Sequence, residues 1–298
     1  MALRVTQGMI QTQFLRNVSN NISVLNNYEN QLSTGRKINK PSDDPVGITY
    51  ALRYRSDLSM NEQYQKNIDT ATSSIEHVDT VLNQINDVMQ RVKELGTRGL
   101  NGTNPQSALD AIAKEMGQLF DETVTLGNIQ LNGKYTFNGQ QTDKKPYTTD
   151  NAQNESTDTG HIVYQFAAGV TIPINITGNE VFGTNAEEDN LFKVIKGLQD
   201  AFNAGEKEAA GDMMDLFNSR MDKFLNTRAE VGARANRVEL LDNRLKDLNL
   251  NLESLSGKTE DADYAETLIK LKTKENVYQA SLSIGAKIIQ PSLVDYLR

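Results

Sequence analysis

The stretch IDTATSSIEHVDTVLNQINDVMQRV, residues 68–92, carries two interleaved series of apolar residues, each with a seven-residue period. The first series is Ile68, Ile75, Leu82 and Met89. The second series starts three positions later and is Ala71, Val78, Ile85 and Val92. This spacing puts one continuous apolar stripe on a helix and predicts a coiled coil or a helical bundle. Residues 46–104 contain no proline, so the predicted helix can run from Pro45 to about residue 96.

A matching pattern lies in the C-terminal half of the chain, where residues 174–290 also lack proline. One heptad series there is Val231, Val238, Leu245 and Leu252. Its partner series is Leu241, Leu248 and Leu255, with Arg234 as a polar exception. We expect this helix to run from about residue 205 to residue 256, to end at Gly257, and to be followed by a last helix from Glu260, capped by Thr259.

The order of the helices is mirrored about the middle of the chain. A shorter helix, residues 6–33, precedes the first long helix, and the last helix, to about residue 290, follows the second. Two further helices are expected between them, one begun by Asn104-Pro105 and one at 190–203. We therefore predict a mainly α fold in which the N- and C-terminal arms form a long antiparallel helical bundle or coiled coil.

The character of the sequence changes between about residues 131 and 186. The stretches KYTFNG, HIVYQFAAG and VTIPINITG alternate apolar and polar residues between turn residues, which is typical of short strands. We predict a small β-rich insert at 131–186 that faces outward. The remaining chain divides into terminal helices, 1–44 with 258–298, and a long-helix bundle, 45–130 with 187–257. We expect the terminal helices to become ordered on assembly.

Composition excludes several classes of protein. The chain has 31 Lys and Arg against 39 Asp and Glu, a net charge of −8, which disfavours nucleic acid as a partner. No apolar run is long enough for a transmembrane helix or a cleaved signal peptide, so we expect no membrane association. There is no cysteine, and the two histidines, His77 and His161, are far apart in sequence. We therefore predict no enzyme, no catalytic or metal site and no cofactor.

The terminal helices carry thin apolar stripes that one helical partner would only partly cover. We predict that these stripes pack between subunits, and the candidate residues are Leu15, Val18, Ile22, Leu25, Leu32, Leu268, Leu271, Tyr278, Leu282 and Ile289.

Between the first two helices, Asp43 and Asp44 precede Pro45, a pattern typical of helix capping. A second cluster, RAEVGARANR at 228–237, contains Arg228, Gly232, Asn236 and Arg237. A glycine inside a helix costs about 1 kcal/mol relative to alanine. Gly232 therefore predicts the close approach of another helix or subunit, with a tolerated surface glycine as the alternative.

The loop LSTGRKINKPSDDPVG at 32–47 and the segment RAEVGARANR at 228–237 resemble the two helical arms of the bacterial flagellin family. The final residues, AKIIQPSLVDYLR, also resemble the C-terminus of that family. The resemblance covers about residues 1–130 and 187–298, and the insert matches only loosely. The start MALRVTQGM, the Pro-Ser-Asp-Asp-Pro loop and the closing Ser-Leu-Val-Asp-Tyr-Leu are more similar to a hook–filament junction subunit than to a filament subunit.

The resemblance implies an extracellular structural protein of the bacterial flagellum, exported by the flagellar type III system without a cleaved signal. It implies an adaptor between hook-associated protein 1 and the flagellin filament, arranged as a ring of identical subunits. An export chaperone that binds the C-terminal helix is implied too. Two alternatives stay open: a flagellin-type filament subunit, and a cytoplasmic coiled-coil protein or helical enzyme scaffold unrelated to flagella. Two matching segments at mirrored positions disfavour the latter.

Overall fold

The structure is a computed structural model that describes residues 7–289. Within this range the chain divides into two compact units. The terminal unit contains residues up to 60 together with those from 248 onward, and the central unit contains 61–247. The predicted domain bounds at 44/45 and 257/258 differ from this division, and the layered arrangement that they describe stays a prediction.

Seven α-helices form most of the described chain. They are α1 (Gln7–Thr34), α2 (Pro45–Gly99), α3 (Gln106–Gly127), α4 (Gly178–Phe182), α5 (Leu191–Ala204), α6 (Lys207–Glu260) and α7 (Tyr264–Ile289). The described strands form two antiparallel pairs, β1 (Gln130–Leu131) with β2 (Lys134–Tyr135) and β3 (Val163–Ala167) with β4 (Val170–Pro173). A short 3-10 helix spans Ala152–Asn154.

In the central unit, α2 and α6 run antiparallel along each other. The Asn61 side-chain amide donates to the Leu245 carbonyl at 3.0 Å, and farther along, the Arg228 guanidinium donates to the Asn83 side chain. Both heptad series of α2 are buried, at 4% exposure or less. The first α6 series is buried as well. The structure therefore confirms the predicted mainly α fold with a long antiparallel helical bundle.

The second heptad series of α6 does not lie in the core as expected. Leu241 is half-buried, while Leu248 and Leu255 are each 44% exposed. The polar exception in this series, Arg234, donates to the Asn175 carbonyl at 3.0 Å and pairs with Glu230. The series therefore lies at the edge of the buried stripe, where a charged side chain keeps polar partners.

Helix ends follow the predicted capping chemistry in the N-terminal arm. Gly35 has a φ of +71°, a conformation that glycine adopts readily, and it ends α1. At the start of α2, Oδ1 of Asp44 accepts hydrogen bonds from the amides of Val46 and Gly47, at 3.0 and 2.9 Å. These two bonds satisfy amides that have no partner within the helix.

Three predicted helix ends are wrong. Helix α6 continues through Gly257 to Glu260, and the hydroxyl of Thr259 donates to the Leu255 carbonyl instead of capping α7. Asp263 takes the capping role, since its Oδ1 accepts from the Glu266 amide at 3.0 Å. Asn104 does not cap α3, because its amide donates to the Arg98 carbonyl.

The insert contains less strand than its alternating pattern predicts. In the KYTFNG stretch only Lys134–Tyr135 is strand. Asparagine side chains replace much of the expected strand pairing: Asn128 accepts from the Tyr147 amide at 3.0 Å and donates to the Tyr147 carbonyl at 2.9 Å. The ring of Tyr147 is buried against two phenylalanine rings, those of Phe182 and Phe192. This aromatic packing gives the insert a core that two short strand pairs could not supply.

Candidate assembly surfaces

The terminal unit pairs α1 with α7 in antiparallel register. The Tyr264 hydroxyl donates to the Leu32 carbonyl at 3.1 Å near one end of the pair. Near the other end, the Phe14 ring lies against Gly285, leaving no room for a Cβ there. Gly285 interrupts the apolar stripe of α7 in the sequence, and in the structure the missing side chain leaves the space that the Phe14 ring occupies.

The predicted packing residues of the terminal helices divide into two groups. Those that face the partner helix are half-buried: Val18, Leu25, Leu32, Leu271 and Tyr278. Those that remain exposed are Leu15, Ile22, Leu268 and Leu282. The side chain of Ile289 lies outside the described residues.

More apolar residues are exposed on the same two helices than the sequence stripes indicate. Additional exposed apolar side chains are Met9, Ile10, Ile269, Val277 and Ile284. Single exposed apolar residues are ordinary, but clusters of them mark surfaces that bind another protein. A heptad template does not select this second group, because it follows one stripe and leaves out apolar residues on the opposite face; Val277 and Ile284 are nevertheless apolar residues that the sequence predicts to need partners beyond the helix pair.

The loop between α1 and α2 uses both predicted aspartates for its own structure. Oδ2 of Asp43 accepts from the Asn39 and Lys40 amides at 3.0 and 2.8 Å, while Asp44 caps α2. Ile38, 3% exposed, is the buried apolar residue of this loop. The two carboxylates therefore stabilise the turn and the start of α2. These hydrogen bonds explain why the aspartates are present without assigning them a catalytic role.

The segment 228–237 lies on α6 in the central unit. Arg228 reaches across to Asn83 of α2, whereas Gly232, Asn236 and Arg237 are exposed. Apart from its chain neighbours and the adjacent backbone of its own helix, no described atom lies within 4 Å of the position that a Cβ on Gly232 would occupy. Within the described chain, then, no helix approaches Gly232 closely.

A buried ion cluster in the central unit escaped the sequence analysis. Arg220, only 2% exposed, donates to the Asp189 carbonyl at 2.9 Å and pairs with the carboxylates of Asp189 and Glu187 at 2.6 and 2.5 Å. Lys223 pairs with Asp189 at 2.8 Å. Burial alone would raise the pKa of Asp189, but the hydrogen bonds from Lys223 and Arg220 outweigh it and lower that pKa.

A signal for this cluster is present in the sequence. Arg220 interrupts an apolar helix face formed by Met214, Phe217, Met221 and Phe224. Three acidic residues, 187–189, lie just before Asn190, the residue that precedes α5. A basic residue on an otherwise apolar helix face needs an acidic partner, because an unpaired buried charge is strongly destabilising. The network holds the connection before α5 against α6 and is structural.

Neither a metal-binding group nor a membrane-spanning helix is found among the described residues. Residues 7–289 contain no group of three or more His, Asp or Glu side chains that could hold a metal ion. None of the described helices is long and apolar enough to cross a membrane.

Two family models match this chain. The bacterial flagellin N-terminal helical region matches residues 5–142, and the bacterial flagellin C-terminal helical region matches residues 214–297. The chain belongs to the bacterial flagellin family. The two matches cover α1, α2, α3, α7 and most of α6, whereas residues 143–213, which include α4 and α5, lie outside them.

Individual relatives extend the match along almost the whole chain. Flagellar hook-associated protein 3 of Escherichia coli (strain K12) is 26% identical over 94% of this chain and 95% of its own length. The flagellin of Bacillus subtilis (strain 168) is 27% identical over 97% of both chains. The crystal structure of the flagellar junction protein FlgL from Legionella pneumophila covers 72% of this chain and 100% of its own, with 13% identity and a TM-score of 0.58. That likeness shows a shared fold, and the relatives are named as flagellar components.

Proposed function

We propose that this protein is a structural subunit of the bacterial flagellum that acts as an adaptor at the hook–filament junction. It would form a ring of identical subunits that contacts hook-associated protein 1 on one side and flagellin on the other. The main structural support for this proposal is the apolar surface that α1 and α7 leave exposed after they have paired with each other. A relative named flagellar hook-associated protein 3, aligned over 94% of this chain, supports the junction role.

The exposed surface supports an assembly role on physical grounds. Leu15, Leu268 and Leu282 are 62, 50 and 46% exposed although each belongs to an apolar stripe. Burying the remaining apolar area of such side chains against neighbouring subunits is favourable by about 25 cal/mol per Å². We expect the terminal helices to gain order on assembly, where this burial offsets the lost conformational entropy.

Gly232 fits the same proposal. Its Cβ position is open, so a helix of another subunit can approach α6 there without a side chain between the backbones. With Arg228 tied to Asn83, the exposed side chains of Asn236 and Arg237 stay available for polar contacts. We propose that Gly232, Asn236 and Arg237 form a second contact between subunits, and that the insert faces away from the ring axis.

A filament subunit is the second candidate, favoured by the flagellin of Bacillus subtilis, which matches at 27% identity over 97% of this chain. The two roles differ in self-assembly. A contact with its own copies that does not close propagates into a helical filament, whereas an adaptor needs different partners above and below. Purified junction subunit should stay monomeric under conditions that polymerise flagellin, and long filaments in negative stain would favour the filament role.

Deletion of the gene separates the two roles in the cell. For an adaptor, electron microscopy should show hooks without filaments, and intact flagellin should accumulate in the culture medium. For a filament subunit, the hooks would also be bare, but no other flagellin would appear in the medium. Normal filaments on the deletion strain would refute both proposals.

Variants of the exposed apolar face test whether the surface of α7 is a contact between subunits. Leu268→Ser and Leu282→Ser should leave the monomer folded by circular dichroism, because both side chains are about half exposed already. Together they should prevent restoration of filaments in the deletion strain. The matched control is Val163→Ser, on a β3 side chain that is 58% exposed, which should restore filaments fully. Equal restoration by both would show that the α7 surface is not an assembly contact.

Export by the flagellar type III system without a cleaved signal, and a chaperone bound to the C-terminal helix, belong to the same proposal. The exposed apolar face of α7 supports the chaperone, because such a face attracts other proteins before assembly. Removal of residues 259–298 should abolish co-purification of that chaperone while the central unit stays folded.

A further inference from the structure

The central unit contains the dipeptide Asn-Gly three times, at 101–102, 132–133 and 138–139. An asparagine that precedes glycine is prone to lose its side-chain amide, because glycine has no Cβ to hinder the approach of its backbone nitrogen. The glycine amide gives its proton to water, its nitrogen attacks Cγ of the asparagine, and ammonia leaves with a proton taken from water. A second water molecule then opens the resulting succinimide ring and leaves aspartate or isoaspartate. Since the three dipeptides share this chemistry, their surroundings decide which of them reacts.

Asn101-Gly102 lies in the connection between α2 and α3, where both residues are exposed. Among the described residues, the Gly102 amide has no hydrogen-bond partner. The side-chain oxygen of Asn101 lies 3.5 Å from the Thr103 hydroxyl, a distance at which a hydrogen bond is weak. Both reacting groups are therefore free to approach each other.

A positive charge lies beside this connection. The ammonium of Lys207 donates to the Gly102 carbonyl at 3.1 Å. A nearby positive charge favours the negatively charged form of a neighbouring group, here the deprotonated nitrogen of Gly102 that attacks Cγ. The surroundings of Asn101 thus favour the reaction as well as permit it.

The side chain of Asn138 is held in place by hydrogen bonds. It is 7% exposed, and its amide donates to the carbonyls of Gln141 and Lys144 at 3.1 and 3.0 Å. Its oxygen accepts from the Asp158 amide at 3.2 Å. Cγ of Asn138 cannot turn toward the Gly139 nitrogen unless these bonds break, and they cannot be replaced by water while the side chain is buried.

Asn132-Gly133 is an intermediate case. Both residues are exposed, but they form the two-residue turn that joins β1 to β2, where Leu131 pairs with Lys134. Their φ values, +53° and +77°, are those that such a turn requires. Ring closure changes the torsion about the bond between Cα and the carbonyl carbon of Asn132, so the turn must open first.

We propose that Asn101 is a site of spontaneous deamidation in the folded subunit, that Asn132 reacts more slowly, and that the fold protects Asn138. Each event at Asn101 makes the net charge of the subunit one unit more negative. Where isoaspartate forms, the connection between α2 and α3 also gains one main-chain carbon atom. The inference concerns the single subunit and does not depend on the proposed place in the flagellum.

Peptide mass spectrometry after incubation of the purified full-length protein in mildly alkaline buffer tests this proposal. Asn101 should deamidate at least about tenfold faster than Asn138, because three buried hydrogen bonds hold the latter side chain. The rate at Asn132 should lie between the two. The matched control is the same protein unfolded in guanidinium chloride, where all three sites should react at similar rates.

Gly102→Ala tests the chemistry at Asn101 without disturbing the fold. Gly102 has a φ outside the left-handed region, and no atom apart from its chain neighbours lies within 4 Å of the position that its Cβ would occupy. The variant should therefore fold normally by circular dichroism. The added Cβ should slow deamidation of Asn101 about tenfold or more, because it hinders the attacking nitrogen. The rates at Asn132 and Asn138 should not change.

Three results would overturn the proposal. The first is a folded protein in which Asn138 deamidates as fast as Asn101. The second is an Asn101 that reacts much more slowly in the folded protein than in the unfolded one, since the fold would then protect it. The third is a folded Gly102→Ala variant that deamidates at Asn101 as fast as the unmodified protein.

Discussion

Leu82→Ala tests whether the heptad seam of α2 provides the main stabilisation of the central unit. Leu82 is completely buried in the large apolar core of that unit. The substitution removes three carbon atoms, worth about 0.8 kcal/mol for each buried methylene in lost transfer free energy. Neighbouring helices cannot fully close the resulting cavity, so measured costs of such substitutions reach about 3–5 kcal/mol. We expect a loss of about 3–4 kcal/mol, a large part of the 5–15 kcal/mol that stabilises a typical domain.

Denaturant unfolding followed by circular dichroism measures this loss through the shift of the unfolding midpoint. The matched control is Leu240→Ala on α6, where the same side chain is 71% exposed. Surface substitutions of this kind change stability by about 0.5 kcal/mol or less. If Leu82→Ala shifted the midpoint no more than Leu240→Ala, the α2 seam would not be the stabilising core of the central unit, and the heptad argument would be wrong.

Two further perturbations test local features. Asp44→Ala removes the acceptor at the start of α2 and should destabilise that helix end by about 1 kcal/mol; faster exchange at the Val46 and Gly47 amides would show it, and Asp44→Asn should keep most of the protection. Asp189→Asn leaves buried Arg220 with one carboxylate fewer and should cost about 3 kcal/mol at neutral pH by denaturant unfolding. Because the folded-state pKa of Asp189 is lowered, its stabilisation is complete above the unfolded-state value of 3.8 and is lost as pH falls through the folded-state pKa. The stability difference between Asp189→Asn and the unmodified protein should therefore shrink below about pH 4, and a difference independent of pH would refute the ion-pair explanation.

The sequence was sufficient to predict the long helices because their signal is repeated many times. Four heptads in α2 and the matching series at Val231, Val238, Leu245 and Leu252 agree with one antiparallel bundle, and each repeat adds independent support. The helix end at Asp44-Pro45 was also predictable, since capping depends on residues adjacent in sequence. Predictions of this kind need no knowledge of distant contacts.

Features that depend on contacts between residues far apart in the sequence could not be predicted from local patterns. Gly257 looks like a helix stop, yet α6 continues through it to Glu260, whose carboxylate accepts hydrogen bonds from Ser256 and from Arg55 of α2. Gly285 looks like a defect in the α7 stripe until the Phe14 ring is placed against it. In each case the helix propensity of the glycine is low, and a contact with a residue more than 200 positions away in the sequence accompanies the helix that forms there.

The candidate assembly surface was only partly predictable for a different reason. A stripe pattern identifies apolar residues but does not say which of them a single partner helix covers. The structure makes that division: Val18, Leu25 and Leu271 turn toward the partner, while Leu15 and Leu282 turn away. Exposure in the folded unit, and not apolarity in the sequence, therefore selects the residues to mutate.

The two units differ in how completely they bury their apolar residues, and this difference connects the fold to the proposed role. In the central unit, α2 carries both of its heptad series at 4% exposure or less, so that unit covers these residues without a partner subunit. In the terminal unit, Leu15 and Ile284 remain more than half exposed on helices of 28 and 26 residues. Helices with such thin seams gain most of their stability from tertiary packing. Neighbouring subunits can supply that packing, which is why the exposed apolar residues of α1 and α7 support the proposed assembly role.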